Sequence, residues 1–184
     1  MGAGSLGFEL ATNFVTYLGW LHGHGTPLTL IGERPDQLAE ARRELVRIGV
    51  DQLACTASGD IATLAAGQPL RSYPVSDFVG LAKARVQRPL QVLGTRRRHE
   101  YARGHVAGCR HIPLHKLADR IDEISDGEVW VYCGSGYRAS IAASILDCAG
   151  KRAVLIDDSY GTSRRAAGLK EGGTDRRTRP SWPM

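Results

Sequence analysis

"WVYCGSGYRASIAASILDCAGKRAVLI", residues 130–156, decides the reading of this chain. An apolar run ends in a cysteine, a short loop with two glycines follows, a small-residue helical pattern begins at an arginine, and a second apolar run comes after Gly150. Strand, loop, helix and strand in that order make one unit of a parallel sheet. The alternation continues elsewhere, in "PLTLIG" at 27–32, "DQLAEARRELVRIG" at 36–49, "QVLG" at 91–94, "VWVY" at 129–132 and "AVLI" at 153–156. An α/β fold is expected, with a parallel sheet flanked by helices on both faces.

The unit occurs twice. "TLIGERPDQLAEARRELVRIGVDQLA" lays over the later stretch without a gap, because Gly32 to Gly49 and Cys133 to Gly150 both span 17 positions. In the earlier unit Gly32 stands at the cysteine position and Gln37 at the arginine position, so whatever chemistry the second performs the first has lost. Residues 58–78 are rich in Gly, Pro and Ser, which places a linker near 67–74. The expected organisation is a partial, inactive unit over 1–70, a complete unit over 71–172 and a flexible tail over 173–184.

The chain has 184 residues, 42% of them hydrophobic, enough for a real core. No run approaches the roughly 18 apolar residues of a membrane helix, and the first residues lack a basic segment followed by a hydrophobic stretch. A cytoplasmic protein without membrane contact is expected. The four cysteines, Cys55, Cys109, Cys133 and Cys148, form no CxxC pair, which argues against zinc or a dithiol motif and for free thiols. The net charge of +5 comes with basic clusters at Arg96–Arg98, Arg164–Arg165 and Arg176–Arg177. Such a field attracts small anions; no helix-turn-helix, finger or aromatic platform points to nucleic acid. "HGHG" at 22–25 reads as loop histidines, since no Asp-His follows it. No metal and no cofactor are expected.

Cys133 stands at the carboxyl end of a strand and before a helix, where α/β folds place ligands. The N–H groups of Gly134, Ser135, Gly136, Tyr137 and Arg138 can curl around its sulfur, because the two glycines permit positive φ angles. Those donors, the helix N-terminus and Arg138 favour a thiolate, so Cys133 is the expected nucleophile. Cys148 lies about ten residues into the following helix, roughly 15 Å away, too far to resolve an adduct on Cys133. Cys109 is expected in the core and Cys55 in the inactive unit.

"CGSGYRAS" resembles the active-site loop of the rhodanese sulfurtransferases, in which a cysteine carries a sulfane sulfur as a persulfide inside a ring of backbone amides. "RRRHEYARGHVAGCRHIPLHKL", residues 96–117, resembles the family's second signature: an Arg, a Glu, then Gly-His-hydrophobe-small-Gly-small, then Ile-Pro-Leu. The resemblance covers about residues 72–170. It implies a sulfurtransferase that moves sulfur from thiosulfate or a low-molecular-weight persulfide to a thiol acceptor. Cys133 and Arg138 are then catalytic, and residues 134–137 form the binding loop. Arg96 and Glu100 tie the first helix to that loop, and His105 is a hydrogen-bonded structural residue. Arg138 either turns inward to orient the loop or pairs with a carboxylate such as Glu100. Residues 7–66 resemble the C-terminal part of a degenerate rhodanese domain, and the stretch from Phe8 to Pro35 resembles the middle of bacterial fusions in which a metallo-β-lactamase-fold enzyme precedes two rhodanese domains. This chain has none of that enzyme's metal motif. The missing first strand would leave a sheet edge that favours a homodimer.

Two departures carry expectations of their own. The family's Leu-Asp-Val-Arg is "LGTRR" here, with Gly94 and Thr95, and the absent carboxylate predicts weaker anchoring of the loops. "DDSYGTSRRAAGL" lacks the family's Gly-Gly and tryptophan, which predicts loose packing of the last helix. Two rival functions share the fold, a phosphatase or arsenate reductase and a non-catalytic binding module. The loop argues for sulfur, because Cys133 to Arg138 encloses four residues, whereas the oxyanion enzymes resembling this fold carry one more.

Overall fold

Period-two alternation in the apolar runs sends successive side chains to opposite faces of a sheet. In the computed structural model, which describes residues 5–23 and 25–172, that alternation divides the core. Val129, Val131 and Cys133 enter one apolar cluster, while Trp130 and Tyr132 enter another.

In chain order the elements begin with α1 (Phe14–Leu21), β1 (Thr29–Gly32), α2 (Pro35–Val46), β2 (Cys55–Ser58) and α3 (Ile61–Leu64). There follow β3 (Val75–Ser76), α4 (Phe78–Gln87), β4 (Gln91–Gly94), α5 (Arg98–Ala102), β5 (His105–Val106) and β6 (Arg110–His111). After two short 3-10 segments, Leu114–Lys116 and Ala118–Glu123, come β7 (Glu128–Tyr132), α6 (Tyr137–Cys148), β8 (Arg152–Ile156), α7 (Tyr160–Ala166) and β9 (Glu171–Gly172).

The main sheet has the order β3-β8-β7-β4-β6 and is parallel throughout. Its central strand β7 is buried on both faces, as a continuous apolar run should be. Helix α6 covers one face with Ile141, Ala142, Ile145 and Leu146. Its alanines and Ser144 let the helix axis come close to the strands. The other face is covered by α4 through Phe78 and Leu81 and by α7 through Tyr160.

The earlier unit forms a separate two-stranded parallel sheet, β1 with β2, from Thr29 opposite Cys55 to Gly32 opposite Ser58. Its own cluster holds Leu30, Ala41 and Leu45 together with Phe14 and Leu18 of α1. Tyr17 of the same helix joins the main core. Helix α1 therefore packs one face on each unit. The segment expected as a linker is fixed at its end: Tyr73 donates to the Ser140 carbonyl at 3.1 Å and Arg71 pairs with Asp147 at 3.0 Å.

The last helix is not loosely packed. Tyr160 is 8% exposed and Arg164 only 4%. The Tyr160 ring stacks on Tyr132 at 5.6 Å and receives the Arg96 guanidinium at 4.1 Å, so an aromatic-cation stack packs the helix that lacks the expected tryptophan. The chain then returns to pair β9 antiparallel with β5, a contact that strand patterning did not show. The tail over 173–184 and His24 lie outside the described residues.

Candidate active site

The site is built at the carboxyl edge of the sheet. Cys133 follows the last residue of β7, is 2% exposed, and shares a cluster with Tyr17 and Ala139. Gly136 caps α6 at φ +91°, and a Cβ there would meet Asp157 Oδ1 and lie 3.3 Å from the Asp157 Cα. Only glycine fits that corner. Gly134 is needed for another reason: its missing Cβ leaves room for the Arg138 guanidinium, which would sit 3.3 Å away. Of the two expected positive φ angles, only the one at Gly136 is present. Among the described residues, none of the N–H groups of Gly134, Ser135, Gly136, Tyr137 and Arg138 donates to another protein group. A helix N-terminus leaves such donors free for an anion.

Arg138 takes the second of its two expected arrangements. It is 9% exposed and grips Glu100 with two bonds, Nη1 to Oε2 at 2.5 Å and Nη2 to Oε1 at 2.9 Å. Glu100 also accepts from the Arg97 N–H at 2.8 Å. The Arg138 bonds hold the Glu100 carboxyl well below its usual range, at about 2. The same pair raises Arg138, and so does the neighbouring Cys133. Helix α5 is thus locked to the loop by a charge-assisted, two-pronged contact.

Arg96 is held by other partners than Arg138. Its Nη1 donates to the Gly104 carbonyl at 2.7 Å and its guanidinium covers Tyr160, which makes it a brace between α5 and α7. His105 is 9% exposed, donates through Nδ1 to the Tyr101 carbonyl at 3.2 Å and stacks on the Tyr101 ring at 3.8 Å. His111 stacks on the other side of that ring at 4.0 Å and donates through Nε2 to the Arg96 carbonyl at 2.8 Å. Cys55 and Cys148 are exposed, whereas Cys109 is half-buried and burial pushes its thiol up.

The anchoring expected to suffer from Gly94 is supplied differently. Gly94 pairs in register with Tyr132, and a Cβ at 94 would stand 2.9 Å from the Tyr132 hydroxyl. That hydroxyl accepts from the Val106 N–H at 3.1 Å and shares a hydrogen bond with the Cys109 thiol at 3.2 Å. Thr95 adds two bonds to the Tyr132 carbonyl, from its N–H at 3.0 Å and its hydroxyl at 3.1 Å. The phenol occupies the space that a residue 94 side chain would take and ties down the 105–109 loop itself. Sequence reading missed Tyr132, although a glycine facing a large tyrosine one residue before the cysteine was a signal once the two strands were aligned. It also missed Tyr17, whose ring lies 5.2 Å from that of Tyr137, and the Tyr137 hydroxyl, which donates to the Glu9 carbonyl at 2.5 Å.

A family model, the rhodanese-like domain, matches residues 79–162. The chain is 33% identical over 67 residues to YrkF of Bacillus subtilis (strain 168), a provisionally named sulfur carrier protein, covering 36% of each chain. It is 31% identical over 153 residues to the HTH-type transcriptional regulator Rv0324 of Mycobacterium tuberculosis, covering 72% of this chain and 66% of that one. It thus spans about one third to two thirds of the length of the curated relatives it matches. Among solved structures, the solution NMR structure of the rhodanese-like domain of the Anabaena sp. Alr3790 protein superposes with a TM-score of 0.50 at 23% identity, over 61% of this chain and 89% of that one. The parallel sheet and its covering helices agree with that match: residues 79–162 match the rhodanese-like domain, and the fold is rhodanese-like.

Proposed function

We propose that residues 71–172 act as a sulfurtransferase with Cys133 as the sulfur carrier. The observation that carries this reading is the tight loop after β7, where, among the described residues, five successive N–H groups from Gly134 to Arg138 next to Cys133 have no protein acceptor. In the first step the Cys133 thiolate attacks the outer sulfur of thiosulfate. An S–S bond forms to Cys133, the bond to the sulfonate sulfur breaks, and sulfite leaves with the electron pair. In the second step an acceptor thiolate attacks the outer sulfur of the persulfide, takes it, and returns Cys133 as thiolate. A low-molecular-weight persulfide serves equally as donor, with a thiolate as leaving group. The loop amides stabilise negative charge on sulfur in both states. Arg138 and Glu100 hold the loop in place rather than handling protons. The name of the YrkF relative supports a carrier role.

Residues 1–70 fit a partial, inactive copy of the domain, and a cytoplasmic site of action fits the four free cysteines. Among the described residues, no helix is long and apolar enough to cross a membrane. A homodimer across the short β1-β2 sheet remains part of this reading. One observation favours a non-catalytic binding module instead, the 2% exposure of Cys133. Thiocyanate formation from thiosulfate and cyanide separates the two. Turnover that disappears in Cys133→Ser supports transfer; no thiocyanate from the folded native chain would make it a binding module.

A further inference from the structure

We propose that an open depression beside the sulfur loop, lined by Trp20, Arg97 and His115, binds the carboxylate-bearing body of the organic thiol that removes sulfur from Cys133. The depression measures about 500 Å³, within the range of small-molecule sites. This inference rests on the sulfurtransferase reading and names the class of its acceptor.

Its position follows from the topology. β6, β4 and β7 are adjacent parallel strands, and His115, Arg97 and Cys133 come shortly after their respective carboxyl ends. All three therefore lie along one edge of the sheet, where open α/β folds bind ligands. The Leu114 N–H donates to the Thr95 carbonyl at 3.3 Å and holds the two outer loops together.

Two lines of contact connect the depression to the sulfur loop. Trp20 packs on Tyr17 at 5.1 Å, and Tyr17 packs on Tyr137 of the loop at 5.2 Å. On the other side the Arg97 N–H binds Glu100, which holds Arg138. Each wall thus ends on a residue adjoining the Cys133 amides.

The lining chooses the ligand. Arg97 is exposed, its guanidinium lies 5.1 Å from the Trp20 ring, and among the described residues no carboxylate pairs with it. The nearby Glu100 is already committed to Arg138. His115 meets the Trp20 edge at 5.5 Å. A fixed cation beside an indole face suits an anion with an apolar body. Thiosulfate is small and doubly charged and gains nothing from the indole. An acceptor such as a mercaptocarboxylate uses both parts and leaves its sulfur free to point towards Cys133.

The test uses the full chain, loaded with thiosulfate and checked for the added sulfur by intact mass. Discharge is then followed with 3-mercaptopropionate and with 2-mercaptoethanol at matched thiolate concentrations. The expected result is a kcat/KM roughly tenfold or more in favour of the carboxylate, carried by KM, falling towards parity in Arg97→Gln and largely retained in Arg97→Lys. Parity in the native, loaded chain overturns the proposal while leaving sulfur transfer intact. If the chain does not load, the transfer reading fails, and the depression is read by itself. Titration with unreactive 3-(methylthio)propionate should shift the Trp20 indole N–H resonance saturably, and the shift should be lost in Arg97→Gln; no shift, or an equal shift in the variant, overturns the site.

Discussion

The two strand-loop-helix units of this chain share a frame and differ in their loops. Both helices close at a glycine in the left-handed region, Gly49 at φ +79° and Gly150 at φ +74°. In the first unit only Glu33 and Arg34 separate β1 from α2, which starts at Pro35. Its Gly32 is crowded by Leu38, 3.1 Å from where a Cβ would stand. The second unit places four residues, Cys133 to Gly136, between β7 and α6, with Arg138 and Glu100 closing the corner. Equivalent strand residues have opposite settings: Ile31 is 53% exposed, whereas Tyr132 is fully buried. The frame comes from patterning alone. What the second unit adds, and what the proposed chemistry would use, is a longer loop, a glycine that no other residue can replace, and a buried phenol behind the cysteine.

Substitutions at five positions, one of them with a second-site change, break or sharpen that contrast. The largest effect is expected at Gly94, because restoring a carboxylate there collides with a phenol that has nowhere to go. Gly94→Asp should cost about 3 kcal/mol in denaturant unfolding, and adding Tyr132→Val should recover part of it, a coupling readable in a double-mutant cycle. Gly136→Ala comes next, at about 2 kcal/mol, since it forces a left-handed alanine against Asp157. Under the proposed function its sulfur transfer should fall by roughly a hundredfold, which steady-state rates would show.

Glu100→Gln removes one side of the Arg138 pair and should cost about 1–2 kcal/mol at neutral pH. The folded carboxyl is depressed to about 2, so its contribution is complete above the unfolded value near 4.5 and is lost as pH falls towards 2. Acid titrations of stability for native and variant should therefore converge as pH drops through that window and stay apart above it. The smallest effects belong to the shared frame. Gly49→Ala and Gly150→Ala should each cost about 1 kcal/mol, and the near equality is the point. A much larger loss at Gly150 would mean that the second unit's frame is itself specialised.

Much of this was legible in the sequence, and the parts that were not have physical causes. The strands around 91–94, 129–132 and 153–156 carried short apolar runs, and the helix after the cysteine carried its glycine stop. Glu100 and Arg138 could be named as partners only through the family resemblance, since no local pattern joins residues 38 positions apart. The Gly94 substitution was visible as a loss but not as a replacement, because its compensation lies across a strand pair. The last helix was misjudged for a similar reason: Tyr160 gains its packing from Arg96 and Tyr132, both distant in sequence. The placement of α1 beside the loop through Tyr17 and Tyr137 depends on two units meeting, which period and propensity do not encode.

The measurement closest to the central claim is to incubate the native chain with thiosulfate and locate any added sulfur among its four cysteines by peptide mass. A gain of about 32 Da on the peptide holding Cys133 and on no other is the predicted result. Sulfur on the exposed Cys55 or Cys148 instead, or on none of the four in a folded chain, would contradict it.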